Sequence, residues 1–271
     1  VSMTFSAEPV AFAVYSDDDK SLRFYKRAAM PAVGSIFDGR TATHVYGGVE
    51  DLDVSFVANG GHAGTFTGVP WSAVSESVER VESIDRIAPN TLAGFFSNMA
   101  ALTTGGVSLN NLDTSKAHSA SGMFYGCTSL TSLDISSLDL STYSSVNSIF
   151  NGCQSLISVV LPSDLHSAKN LGHMFYGCAK LQNVDLSPLA DASPQYADCM
   201  FMGCSRLMGV SGFDRIDFSK CETLASMFEM CTSLRELDTS ALDASSATNV
   251  SRMFFHNIML ASLDLSRFSL K

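Results

Sequence analysis

Five of the seven cysteines, Cys127, Cys153, Cys178, Cys204 and Cys231, recur at spacings of 26, 25, 26 and 27 residues. A thiol can act as nucleophile, metal ligand or disulfide half, and each role needs a suitably placed partner. No Cys-x-x-Cys pair occurs, and Cys199 with Cys204 is wrongly spaced for zinc. The histidines, His44, His62, His118, His166, His173 and His256, share no common place relative to the cysteines. His173 lies five residues before Cys178, but a thiol that recurs as a packing residue is expected to be buried and inert. Gly105-Gly106 follows a leucine rather than opening a helix, which argues against a phosphate loop. Asp17-Asp18-Asp19 lacks the spaced ligands, glycine and terminal glutamate of a calcium loop. The expectation is therefore no catalytic, metal or cofactor site, and a protein that is not an enzyme.

What the cysteines share is a phrase, (Met/Ile)-Phe-x-x-Cys-x-x-Leu-x-x-(Leu/Val), in which each stands at the same slot. A degenerate copy precedes them, with Phe96, Met99 and Leu102, and another follows, with Phe254, Asn257 and Leu260. Seven copies in register, about 26 residues apart, predict an α/β leucine-rich-repeat solenoid. It would be horseshoe-like, with a parallel β-sheet on one face and short helical turns on the other. Segments such as 130–135 and 234–239 alternate as short strands do, while Val250, Met253 and Phe254 have helical spacing. The column Phe96, Phe124, Phe150, Phe175, Phe201, Phe228 and Phe254 reads as an interior spine, with the leucine column beside it. A slot that also accepts Met99 and Asn257 is a packing slot. Cys199 and Cys221 fall outside it on neighbouring coils, which leaves a disulfide between them open.

Residues 1–78 lack the period and read as a β-rich N-terminal cap, leaving 79–271 as the repeat array. A hairpin is expected from strands at 10–15 and 21–26, further strands at 42–46 and 54–57 between Gly47-Gly48 and Gly60-Gly61 turns, and an opening strand of the array at 81–84. With 46% apolar residues the chain can bury a continuous core. The formal net charge of -10, with 17 scattered Lys and Arg, excludes a nucleic-acid footprint and disfavours a bare anionic membrane. No apolar run is long enough to span a bilayer. Neither end carries a recognisable signal, and a mature or trimmed form is expected.

The phrases Met123-Phe-Tyr-Gly-Cys-Thr-Ser-Leu-Thr-Ser-Leu-Asp-Ile135 and Met174-Phe-Tyr-Gly-Cys-Ala-Lys-Leu181 resemble the repeats of BspA-type leucine-rich-repeat bacterial surface proteins, over roughly residues 92–268. Residues 12–25 resemble segments that precede such arrays. The resemblance implies a secreted or surface-attached bacterial protein, in a family associated with adhesion to host or matrix proteins. Val160-Leu-Pro162 and Ser211-Gly212 depart from the usual Asp-x-Ser, and no wall-anchoring motif is present.

Positions flanking the strand leucines should point out of the sheet, and there the copies stop agreeing. The candidate binding residues are Ser132, Asp134, Ser136, Val160, Asn183, Asp185, Ser211, Glu236, Asp238 and Asp264. They suggest a trough at Val160 and Gly209 rimmed by Asp134, Asp185 and Asp238, suited to a basic segment of an extracellular protein. The same Asp and Ser types also serve to satisfy loop amides. Glycan binding would use Trp71, Tyr143 and Tyr196 as platforms, and a structural spacer role is the other alternative. A monomer is expected.

Overall fold

The computed structural model describes residues 8–58, 64–240, 242–266 and 268. The expected Gly60-Gly61 turn and His62 lie outside them. Among the described residues thirteen strands run in order: β1 (Val10–Ser16), β2 (Ser21–Arg27), β3 (Ile36–Phe37), β4 (Arg40–Thr41), β5 (His44–Gly47), β6 (Ser55–Ala58), β7 (Gly64–Thr67), β8 (Arg80–Ser83), β9 (Val107–Ser108), β10 (Ser132–Asp134), β11 (Ser158–Val160), β12 (Asn183–Asp185) and β13 (Gly209–Ser211).

The first sheet has the order β5-β1-β2-β8-β9. Strands β1 and β2 form an antiparallel hairpin, and β8 joins β2 in parallel. Period-2 alternation divides this sheet between two cores. Ala11, Ala13, Tyr15, Leu22 and Phe24 face the main core, whereas Phe12, Val14 and Tyr25 build a small second one with Ala42. The turn carboxylates are all engaged: Asp17 binds Lys20, Asp18 accepts from the Thr41 amide, and Asp19 holds Arg23 and Arg40. Phe24 and Trp71 pack on Phe95 with ring centroids 5.3 and 4.9 Å away, and the Trp71 indole donates to the Phe95 carbonyl. The N-terminal strands thus seal the first coil.

Beyond it, successive coils stack. Consecutive rings of the phenylalanine column lie 5.2–6.0 Å apart, from Phe96 to Phe254. A line of single parallel bridges runs beside it through Ser119, Ser145, Asn170, Tyr196, Thr223 and Asn249.

The expected α/β horseshoe is overturned. No α-helix occurs among the described residues, only five three-residue 3-10 turns. The repeat strands do not form one continuous parallel sheet either, for β10 pairs with β11 and β12 with β13 as separate ribbons. Residues 234–239, expected to be extended and paired, belong to no strand. The architecture is mostly β and turn, in small sheets.

The physical cause lies in two left-handed positions per coil. Ser148, His173, Cys199, Ser226 and Arg252, each two residues before its phenylalanine, have φ between 53° and 58°. Gly126, Gly152, Gly177, Gly203, Met230 and His256, two residues after it, have φ between 61° and 79°. A left-handed residue every fourth position breaks the run of helical dihedrals that i→i−4 bonding needs. Alternate amides instead donate to the next coil, as Phe175 does to the Met200 carbonyl and Phe201 to that of Met227. The 3,4 spacing of apolar residues therefore reports a tight alternating turn, not a helix.

Candidate functional site

Each Leu-Asp-x-Ser segment folds into an Asx turn, because a short carboxylate can cap the amide two residues on. Asp134 accepts from the Ser136 amide, Asp185 from Ser187, Asp238 from Ser240 and Asp264 from Ser266, at 2.8–2.9 Å. The Ser187 hydroxyl adds a 2.6 Å bond to Asp185, and Ser211 from the neighbouring strand donates to the same oxygen. Serine hydroxyl and amide bonds hold the carboxyls of Asp134, Asp185 and Asp238 below the usual range. They stay ionised under ordinary conditions, each with only one oxygen committed to its turn amide.

Six of the ten candidate residues come together. Asn183, Asp185, Ser211, Glu236, Asp238 and Asp264 line a groove of about 760 Å³ over the β12–β13 ribbon. Val184 and Leu237 form its apolar floor, and Gly209 and Ser211 lower it between larger neighbours on the adjoining coils. The lining contains no Lys or Arg, and no imidazole or thiol. It can fix cations and hydrogen-bond donors. Arginines gather in a neighbouring depression, where Arg206 and Arg235 stand with Gln182, Met208, Ser233 and Met259.

The other four candidates lie elsewhere. Ser132, Asp134 and Val160 belong to the β10–β11 ribbon, where Val160 is half exposed. Ser136 lines a small depression with Asp139 and Asp164. The glycan platforms mostly vanish, since Trp71 and Tyr143 are fully buried and Tyr196 alone reaches solvent.

No disulfide joins any of the seven cysteines, so Cys199 and Cys221 are not bridged. The five repeat thiols are buried and point inward, each donating to the phenylalanine carbonyl of the preceding copy, as Cys204 does to Phe175 at 3.0 Å. Burial pushes the thiols of Cys127, Cys178 and Cys204 well above their ordinary pKa. What sequence reasoning missed is that His173, Asp198 and Cys199 meet. The available signal was that His173 and Cys199 occupy one repeat slot in consecutive copies.

The family model described as "Mycoplasma protein of unknown function, DUF285" matches residues 90–208 and 195–271. These two segments span well over half the chain, and the chain belongs to that family. Among solved structures, a leucine-rich repeat protein from Eubacterium ventriosum is similar at 18% identity and a TM-score of 0.40. That match covers 70% of this chain and 55% of the other, so the chain spans about half the length of its structural relative. No curated protein matches. No helix among the described residues is long and apolar enough to cross a membrane.

Proposed function

We propose that this chain is a noncatalytic bacterial binding protein, secreted or held at the cell surface, that takes up a basic segment of an extracellular protein in the β12–β13 groove. The observation that carries this reading is the convergence of Asp185, Glu236, Asp238 and Asp264, from three coils, on one groove without a cation in its lining. Such a surface attracts lysines and arginines and repels acidic competitors, while the apolar floor offers contact area to their stems. The placement outside the cell rests on the likeness of the repeats to those of bacterial surface proteins.

The test uses a fluorescent basic peptide and its anisotropy across a salt series. Asp185→Asn, Glu236→Gln and Asp238→Asn are combined, because Asn retains the turn-capping carbonyl and removes only charge. The triple variant should bind about tenfold more weakly or worse, with a flatter salt dependence. Unchanged affinity and salt dependence would exclude the groove as the binding surface.

A further inference from the structure

His173 and Cys199 occupy equivalent slots in consecutive coils, two residues before Phe175 and Phe201. Both are left-handed, with φ of 57° and 53°, so their side chains leave the backbone in the same sense and stack. The His173 amide donates to the Asp198 carbonyl at 2.9 Å, which locks the two coils in register at this point. The imidazole, the Asp198 carboxylate and the Cys199 sulfur consequently offer ligand atoms that all lie within 4.8 Å of one another, with His173 Nδ1 3.7 Å from Asp198 Oδ2. Among the described residues this is the one place where three such ligand types converge.

We propose that His173, Asp198 and Cys199 form a mononuclear Zn²⁺ site. Tetrahedral zinc with bonds of about 2.0–2.3 Å sets its ligands roughly 3.3–3.8 Å apart, so small side-chain adjustments close the observed triangle around the ion. A set of one nitrogen, one oxygen and one sulfur suits a borderline-soft dication and is a poor cage for calcium or magnesium. Three protein ligands leave the fourth position to water. Access is from the His173 and Asp198 side, where the side chains are 20% and 29% exposed, while Cys199 is buried.

Metal binding replaces the Cys199 thiol proton, releasing one H⁺ as the Zn–S bond forms. Repeat packing does not demand these residue types. The His173/Cys199 slot holds Gly94, Gly122, Ser148, Ser226 and Arg252 in other coils, and the Asp198 slot holds Ala93, Asn147 and Ala225.

That tolerance supplies the test. The whole chain, kept reduced with a phosphine, is titrated with Co²⁺ as a spectroscopic stand-in for Zn²⁺. One equivalent should bind, giving a thiolate-to-cobalt charge-transfer band that Zn²⁺ abolishes by displacement. Cys199→Ser, His173→Ser and Asp198→Asn each install a residue that the repeat already uses at that slot, so folding is preserved, and thermal melts confirm it. Cys199→Ser should lose the band, and each variant should bind more than about 100-fold more weakly, since loss of even an outer-shell partner costs about 10–100-fold. Absence of saturable binding, or binding and band unaltered in folded Cys199→Ser, overturns the site.

Discussion

The thiol of Cys178 donates to the carbonyl oxygen of Phe150 at 3.1 Å, joining the cysteine column of one coil to the phenylalanine column of the coil before it. Cys127, Cys153, Cys204 and Cys231 make the equivalent bond to Phe96, Phe124, Phe175 and Phe201. The Phe150 carbonyl also accepts the Cys153 amide, so the thiol occupies a second acceptor site that no water reaches. A residue chosen for packing volume is thereby also a donor. Asn257, which ends the column, finds no such partner for its buried side-chain amide.

Replacing Cys178 with alanine should therefore cost about 1–3 kcal/mol, from lost contacts and a half-satisfied buried carbonyl. Urea denaturation measures it. In the native state Cys178 should resist alkylation at neutral pH, because burial holds the thiol far above its ordinary pKa. Stoichiometric native labelling at Cys178 would contradict its placement.

Along the phenylalanine column the cost of truncation should depend on position. Phe201 is fully buried and stacks on both Phe175 and Phe228, at 5.4 and 5.2 Å. Phe254 is only partly buried and stacks on Phe228 alone within the column. Phe201→Ala should lose about 3–5 kcal/mol and Phe254→Ala clearly less. Equal losses in denaturant melts would mean that the column does not work as a stack.

The repeated apolar columns were legible in the sequence because stacking places one residue type over its own kind, and identity at a fixed period records that contact. The backbone between them was not. Gly126, Gly152, Gly177 and Gly203 signalled one left-handed position, but the other is glycine only at Gly94 and Gly122, and Ser148, His173, Cys199, Ser226 and Arg252 then hide it behind side chains that disfavour that conformation. Alternating turns therefore carry the same 3,4 apolar spacing as a helix. The Asx turns at Asp134, Asp185 and Asp238 followed from local chemistry, whereas the groove depends on how neighbouring coils differ at Gly209 and Ser211 and on where the strand ribbons break. Val160 and Asp134, equal candidates by spacing, fall on the other ribbon for that reason.

Met230 supplies a test of the left-handed slot. Its φ is 62°, it is about half exposed, and the four preceding coils place glycine there. A non-glycine residue pays roughly 1–2 kcal/mol for this conformation, and glycine returns roughly 0.5–1 kcal/mol as unfolded-chain entropy. Met230→Gly should consequently raise stability by about 0.5–1 kcal/mol in thermal or urea melts. A decrease would show that the Met230 side chain contributes contacts outweighing its backbone strain.

Acid should weaken the fold through the same turns. The Ser115 hydroxyl and amide, with the Arg86 guanidinium, hold the Asp113 carboxyl down at about 2 against an ordinary 3.8. Because the folded-state value is the lower one, the unfolded chain takes up the proton first as pH falls. The contribution is complete above the unfolded value near 3.8 and is lost as pH drops through about 2. Solvent screening limits it to about 1 kcal/mol. Asp113→Asn keeps a carbonyl to cap the Ser115 amide but cannot form the ion pair with Arg86 or titrate, so its stability should vary less between pH 4 and pH 2, on the order of 1 kcal/mol less than in the parent chain. Urea melts at a series of pH values measure both slopes, and identical slopes would show that Asp113 titrates alike in the folded and unfolded chains.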